Sequence, residues 1–194
     1  LSVQRVGYAR WHAHVNHVNA PGWARPWLVD TASMTAKLVA RSERFRVRRL
    51  CQERAPGNAD ECALVALPRR MQVQQREVLL ECDGVPVVFG HTVVPLSATT
   101  HDWPFFGTLG ERSLGTTLFG DPRVARGRLE YARLRAGHPL MRRARLATGL
   151  EFDVLFARRC LYRRRNGLLL VTELLLPAVA ALPAAQPIER HGVR

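Results

Sequence analysis

The chain has almost no lysine. Lys37 stands alone, and arginine supplies 28 of the 29 basic residues behind the formal net charge of +13. Such a charge invites a nucleic-acid reading. The arginines are scattered, however, in groups such as Arg46, Arg48, Arg49 and Arg163, Arg164, Arg165, without zinc-finger spacing or an aromatic RNA-binding signature. No nucleic-acid partner is expected, and the scarcity of lysine reads as codon bias. Cysteine is sparse too. Cys51, Cys62, Cys82 and Cys160 lie far apart with no C-x-x-C, which argues against a metal knuckle or a disulfide framework and fits reduced thiols in the cytoplasm. Long apolar runs are missing: the stretch from Leu168 to Leu182 is interrupted by Glu173 and Pro177, so no membrane insertion is expected. Leu1 to Ala20 holds three histidines and no apolar core of a signal peptide, so a cytoplasmic location is expected.

What is present suits one domain with a real core: 194 residues, 47% of them apolar. Residues 1–22 read as a loosely ordered N-terminal extension, 23–177 as the domain and 178–194 as an Ala- and Pro-rich tail. His12, His14 and His17 form an H-x-H-x-x-H cluster that a metal would accept, but no carboxylate or cysteine within the segment completes a site, so it reads as a polar tail. Ser33 is a good N-cap for a helix over Met34 to Ala40. Phe45–Cys51 reads as a strand and Ala55–Leu67 as a loop. Gln75–Cys82 and Val85–Val94 flank Asp83-Gly84, a favoured two-residue turn. Leu155–Arg163 and Leu168–Leu176 flank a second turn with Asn166-Gly167, and Gly127–Arg135 alternates more weakly. Helices are expected in the first third and between Thr99 and Phe119. With no βαβ alternation, this predicts a single α+β domain with about six mostly hairpin-linked, antiparallel strands flanked by helices.

One carboxylate sits in the most apolar stretch, LLLVTELLLP. A strand with leucines on both faces is buried on both faces, and a lone acid there costs several kcal/mol unless a cation or donors meet it. Glu173 is therefore either half of a structural ion pair or part of a binding site. Arg76 shares a strand face with Val78 and Leu80. Its guanidinium either recognises a carboxylate at two points or snorkels to solvent from an edge. Ser33-Met34-Thr35 and Ser113-Leu114-Gly115 each enter a short helix, where free backbone N–H groups attract anionic oxygens.

The order of these pieces resembles the chorismate pyruvate-lyase family. The resemblance rests on Asp30 to Thr35 (DTASMT), Arg76 to Leu80 (REVLL), Asp83-Gly84-Val85-Pro86 and His91 to Pro95 (HTVVP). It continues through Leu109-Gly110, Ser113-Leu114-Gly115, Leu118-Phe119, Ala157-Arg158-Arg159 and Thr172 to Pro177 (TELLLP), covering roughly Trp23 to Pro177. It implies cleavage of chorismate to 4-hydroxybenzoate and pyruvate for ubiquinone synthesis, without a metal or organic cofactor, by a six-stranded antiparallel sheet flanked by helices. By matching motif it implies that Arg76 binds the ring carboxylate, that Glu173 meets the oxygen at the opposite end of the ring, and that the backbone N–H groups of Met34 and Leu114 bond the ligand. It also implies helical flaps over a tightly held product. A monomer is expected.

The chain departs from the family pattern in a longer stretch from Ala136 to Phe152, expected to alter flap geometry, in Cys160 where serine is frequent, and in Leu175 where phenylalanine is typical. Two other readings stay open. One is a ligand-sensing module like the effector domains of bacterial transcription regulators, which carry an N-terminal helix-turn-helix not seen in residues 1–22. The other is a related lyase giving a different hydroxybenzoate.

Overall fold

The computed structural model describes residues 9–184. Six strands, β1 (Phe45–Pro56), β2 (Gln72–Cys82), β3 (Val85–Pro95), β4 (Val124–Arg135), β5 (Val154–Arg164) and β6 (Gly167–Leu175), form one sheet in the order β1-β2-β3-β6-β5-β4. Every neighbouring pair is antiparallel, as the hairpin pattern predicts. Five α-helices accompany it: α1 (Arg25–Leu28), α2 (Met34–Val39), α3 (Ala59–Leu64), α4 (Leu114–Gly120) and α5 (Pro139–Thr148). Among the described residues no helix is long and apolar enough to cross a membrane.

The β2–β3 hairpin turns on Asp83 (φ +52°) and Gly84 (φ +84°), the left-handed pair that matches strand twist. The second hairpin turns on Arg165 and Asn166, with Arg165 at φ +54°. Gly167, which follows, is needed for space rather than for φ, because a Cβ there would collide with the Asp102 side chain.

Three expectations change. The stretch from Ala55 to Leu67 is not loop: β1 runs on to Pro56, and α3 follows, started by Asn58, whose N–H donates to Glu61 at 3.1 Å. The stretch from Ala136 to Phe152 contains α5, with Pro139 in its first turn and Gly149 in the left-handed conformation after its end. Residues 9–22 are not loose. His12 pairs with Tyr131 of the edge strand, and Val15 and Val18 are buried in the core.

Alternation divides the sheet residues between two faces. On one face, Val47, Leu80, Val88 and Leu175 pack with Trp27 and Leu28 of α1 and Met34 and Leu38 of α2. Farther along it, Val94, Tyr162 and Leu169 pack with Trp103, Phe106, Leu114 and Leu118. On the far face, Leu79, Phe89 and Leu174 meet Leu140, Met141 and Ala144 of α5. The long 136–152 stretch thus covers the far face and not the flaps, contrary to expectation.

Between its apolar clusters the far face carries a charged band. Glu77, His91, Thr172, Arg159 and Glu130 lie in register across five strands. His91 is 1% exposed and stands between two carboxylates, Glu77 at 3.0 Å and Glu61 of α3 at 3.2 Å, the latter within ion-pair distance but off the hydrogen-bond angle. Arg143 of α5 donates to Glu77 at 2.6 Å, and the buried His138 borders the group. Burial alone would lower the pKa of His91, but Glu61 and Glu77 outweigh it and raise it to about 9. Against the same opposing burial, His91 and Asn58 bring Glu61 down to about 2, and His91 and Arg143 lower Glu77.

The raised histidine stabilises the fold fully below its unfolded value of about 6.5, and that contribution is lost as pH rises through about 9. The two glutamates act in the opposite sense: their contribution is present above about 4.5 and lost as pH falls toward the folded values. Urea unfolding should therefore show stability falling between pH 6.5 and 9.5, with most of that fall absent in His91→Gln. At pH 6 this variant should be less stable by about 3 kcal/mol, since it leaves buried carboxylates without their cation.

Candidate active site

The gap between the two apolar clusters on the first face is a cavity roofed by α2 and α4. Its lining includes Met34, Arg76, Leu114 and Glu173, the four residues singled out from sequence. The cavity volume is about 60 Å³, several times what one water needs. Sheet register builds the floor. Val78, Gly90, Glu173 and Arg158 form one row across β2, β3, β6 and β5, and Arg76, Thr92 and Val171 form the next. Arg76 and Glu173 are thus two strands and one row apart, roughly 12 Å between Cα atoms on ideal strand spacing. Gly90 lies between them, so the floor there has no side chain.

Arg76 does not snorkel. It is 2% exposed. Its Nη2 donates to the carbonyl oxygens of Gly110 at 3.0 Å and Arg112 at 2.9 Å, while its buried Nε has no partner. Among the described residues it has no carboxylate partner. Burial, and then the charge of Arg49, pull its pKa down to about 10, which still leaves it a cation at neutral pH.

Glu173 forms the ion pair that one of its sequence-based readings requires. Arg158, opposite it on β5, donates from Nε to Oε2 at 2.6 Å and is 3% exposed, so an ion pair exists. Glu173 nevertheless borders the cavity. Arg158 also donates from Nη1 to the carbonyls of Trp27 at 3.1 Å and Asp30 at 2.6 Å. It thereby ties the segment between α1 and α2 to the sheet.

The two roof helices meet start to start. Ser33 caps α2 and Ser113 caps α4, each accepting from an N–H at 3.4 Å. Helix geometry leaves the N–H groups of Met34 and Leu114 without intrahelical partners. Thr35 and Ser113 share a hydrogen bond of 2.7 Å between hydroxyls. A Cβ on Gly115 would stand 3.0 Å from the Ser33 hydroxyl and 3.2 Å from that of Thr35, so glycine permits this approach.

Sequence reasoning missed Arg158, Arg126, Thr92 and Tyr162 as lining residues. Arg158 was findable: counting back from the turn at Arg165-Asn166 pairs it with Glu173. Arg126 was not, because the strand bulges between Arg126 and Leu129 and breaks the count. The histidine cluster lies apart from this cavity. Its ring centroids are 5.3 Å (His12–His17) and 6.3 Å (His14–His17) apart. Among the described residues no group of three His, Cys, Asp or Glu side chains is arranged to hold a metal ion.

A family profile described as chorismate lyase matches residues 7–181. A probable chorismate pyruvate-lyase of Ralstonia nicotianae is 48% identical over 162 residues, covering 81% of this chain and 83% of that protein. One from Cupriavidus metallidurans is 41% identical over 189 residues, covering 96% and 88%. Among solved structures, PhnF from Mycobacterium smegmatis superposes with a TM-score of 0.54 at 15% identity, covering 83% of this chain and 71% of that one. That likeness is one of fold alone.

Replacing Arg158 by glutamine should leave Glu173 without its cation and free the carbonyls of Trp27 and Asp30, lowering stability by about 3 kcal/mol in urea unfolding. Adding Glu173→Gln should recover part of that loss, because no uncompensated charge remains. A double-mutant cycle with no coupling would show that the pair is not formed in solution.

Proposed function

The chain belongs to the chorismate lyase family, and on that premise we propose that it converts chorismate to pyruvate and 4-hydroxybenzoate, the aromatic acid used to make ubiquinone, as a monomer in the cytoplasm. The observation that carries this reading is Arg76: a buried guanidinium without an acid among the described residues, beside a small cavity with a carboxylate across the floor. A charge kept out of water without a counterion is costly, and an aromatic carboxylate would offset that cost.

The reaction asks little of the protein beyond placement. The ring C–O bond breaks with its electron pair on the enolpyruvyl oxygen, a proton leaves the neighbouring ring carbon, and the enolpyruvate takes up a proton to become pyruvate; the ring becomes aromatic, so the reaction runs downhill. Arg76 holds the ring carboxylate, and Glu173, held at Oε2 by Arg158, accepts from the ring hydroxyl at the other end. The N–H groups of Met34 and Leu114 bond the ligand from the roof, and α2 and α4 exclude water. Fixing the substrate in a reactive shape and stabilising developing charge then supply the acceleration.

Incubating the protein with chorismate should release 4-hydroxybenzoate and pyruvate in equal amounts, identified by chromatography. A different hydroxybenzoate, or saturable binding without turnover, would overturn the proposal. Arg76→Gln should raise KM by about tenfold to a hundredfold, the worth of charge-assisted hydrogen bonds. Glu173→Ala should lower kcat by about a hundredfold or more, and near-normal turnover would remove it from the chemistry.

A further inference from the structure

Three guanidinium groups line the cavity, those of Arg76, Arg126 and Arg158, against the single carboxylate of Glu173. Glu173 neutralises Arg158. Arg76 and Arg126 have no acid partner among the described residues, and each has a buried Nε without a hydrogen-bond acceptor. The lining therefore has two cations in excess and two orphaned donors, one on each. A ligand with one carboxylate would answer only one of them.

Arg126 stands across the sheet from Arg76, on the edge strand β4, with β3, β6 and β5 between. Its Nη1 donates to the carbonyl of Thr31, just ahead of α2, and its guanidinium lies 5.2 Å from the centroid of the Phe119 ring at the end of α4. These contacts hold the side chain in place without neutralising it. Arg76, Glu173 and Arg126 come from three strands and three different rows of the floor, so they form a triangle rather than a line.

We propose that Arg126 recognises a second carboxylate of the substrate, the one on the departing three-carbon group, and so makes the pocket selective for a dianion. The inference rests on the reading of the site as a chorismate-cleaving one. Chorismate presents a ring carboxylate, a hydroxyl at the opposite ring carbon, and a carboxylate on the ether beside that hydroxyl. These match Arg76, Glu173 and Arg126 in turn. The aromatic product retains only the first two. Arg126 therefore adds to binding before the ether bond breaks and contributes little to holding the product. It is a specificity residue, distinct from the ring-carboxylate anchor.

Binding measurements separate this from a purely structural role for Arg126. By calorimetry, the native chain should bind the dianion 3-(carboxymethoxy)-4-hydroxybenzoate at least about tenfold more tightly than the similarly sized 3-ethoxy-4-hydroxybenzoate, as one charge-assisted contact implies. Arg126→Gln, which removes the charge and keeps an amide donor, should weaken the dianion about tenfold or more and 4-hydroxybenzoate by less than about threefold. It should also raise KM for chorismate with little change in kcat. No preference for the dianion in the native chain, or equal weakening of both ligands in Arg126→Gln, would overturn the proposal. The native-chain comparison requires no variant to fold, and neither binding arm requires turnover. Failure of the lyase reading would appear in the chorismate assay, failure of this inference in the ligand ratio.

Discussion

The ion pair between Arg158 and Glu173 organises the pocket. Its two members face each other across a tight hairpin, so the register that makes the sheet also makes the pair. Each lends the other a reason to be buried, and Arg158 has donors to spare for the carbonyls of Trp27 and Asp30. That second use fixes the chain just before α2, and with it one half of the cavity roof. Without the guanidinium, Glu173 would be an unpaired acid in the most apolar strand, and the roof would lose one of its ties to the floor. One contact thus serves the floor, one half of the roof and the carboxylate that borders the cavity.

The strands carry charge on both faces at nearly the same height. Arg76 and Glu77, Arg158 and Arg159, and Thr172 and Glu173 are sequence neighbours that alternation sends to opposite sides. The first-face members line the cavity, while Glu77, Arg159 and Thr172 belong to the band that also holds His91. The far-face charges are paired with opposite charges. His91 sits between two carboxylates, and Arg159 bonds both Glu130 at 2.7 Å and Asp60 at 3.2 Å. The cavity-facing cations, apart from Arg158, are not. Buried charges that are paired stiffen a fold, whereas a buried charge left unpaired has capacity for a ligand. The contrast between the two faces leaves unpaired positive charge on the cavity side alone among the described strand residues of the two bands.

Much of this was legible in the sequence because strands and hairpin turns obey local rules. The Asp83-Gly84 turn and the alternation of Arg76, Val78 and Leu80 gave strand, face and neighbour together. Glu173 stood out because a carboxylate among leucines needs a partner, and its partner could be counted from the turn. Other parts were hidden for physical reasons. Helix α3 is six residues long and is preceded by Pro56-Gly57-Asn58, which reads equally well as a loop. Helix α5 had its Pro and Gly boundary signals, but they lay in a segment read as an insertion. The burial of Val15 and Val18 depends on tertiary packing that no local pattern of the N-terminal segment announces. Arg126 was hidden by the bulge, which shifts its partner from the one an unbroken ladder would assign.

The state of Arg76 links recognition to the roof. Two carbonyls, of Gly110 and Arg112, occupy Nη2, and they belong to the segment that leads into α4. Those bonds bring the segment down over the guanidinium but do not neutralise it, since carbonyl dipoles carry no net charge. Nε and Nη1 remain for an anion. A carboxylate arriving there would make the guanidinium a shared partner of ligand and roof, and neither would have to displace the other. Closing the roof also excludes water, which strengthens the attraction between guanidinium and carboxylate. On the proposed reading, binding a carboxylate and holding the roof down would favour each other through one side chain. A glutamate or aspartate beside Arg76 would neutralise that cation and compete with such a ligand for it.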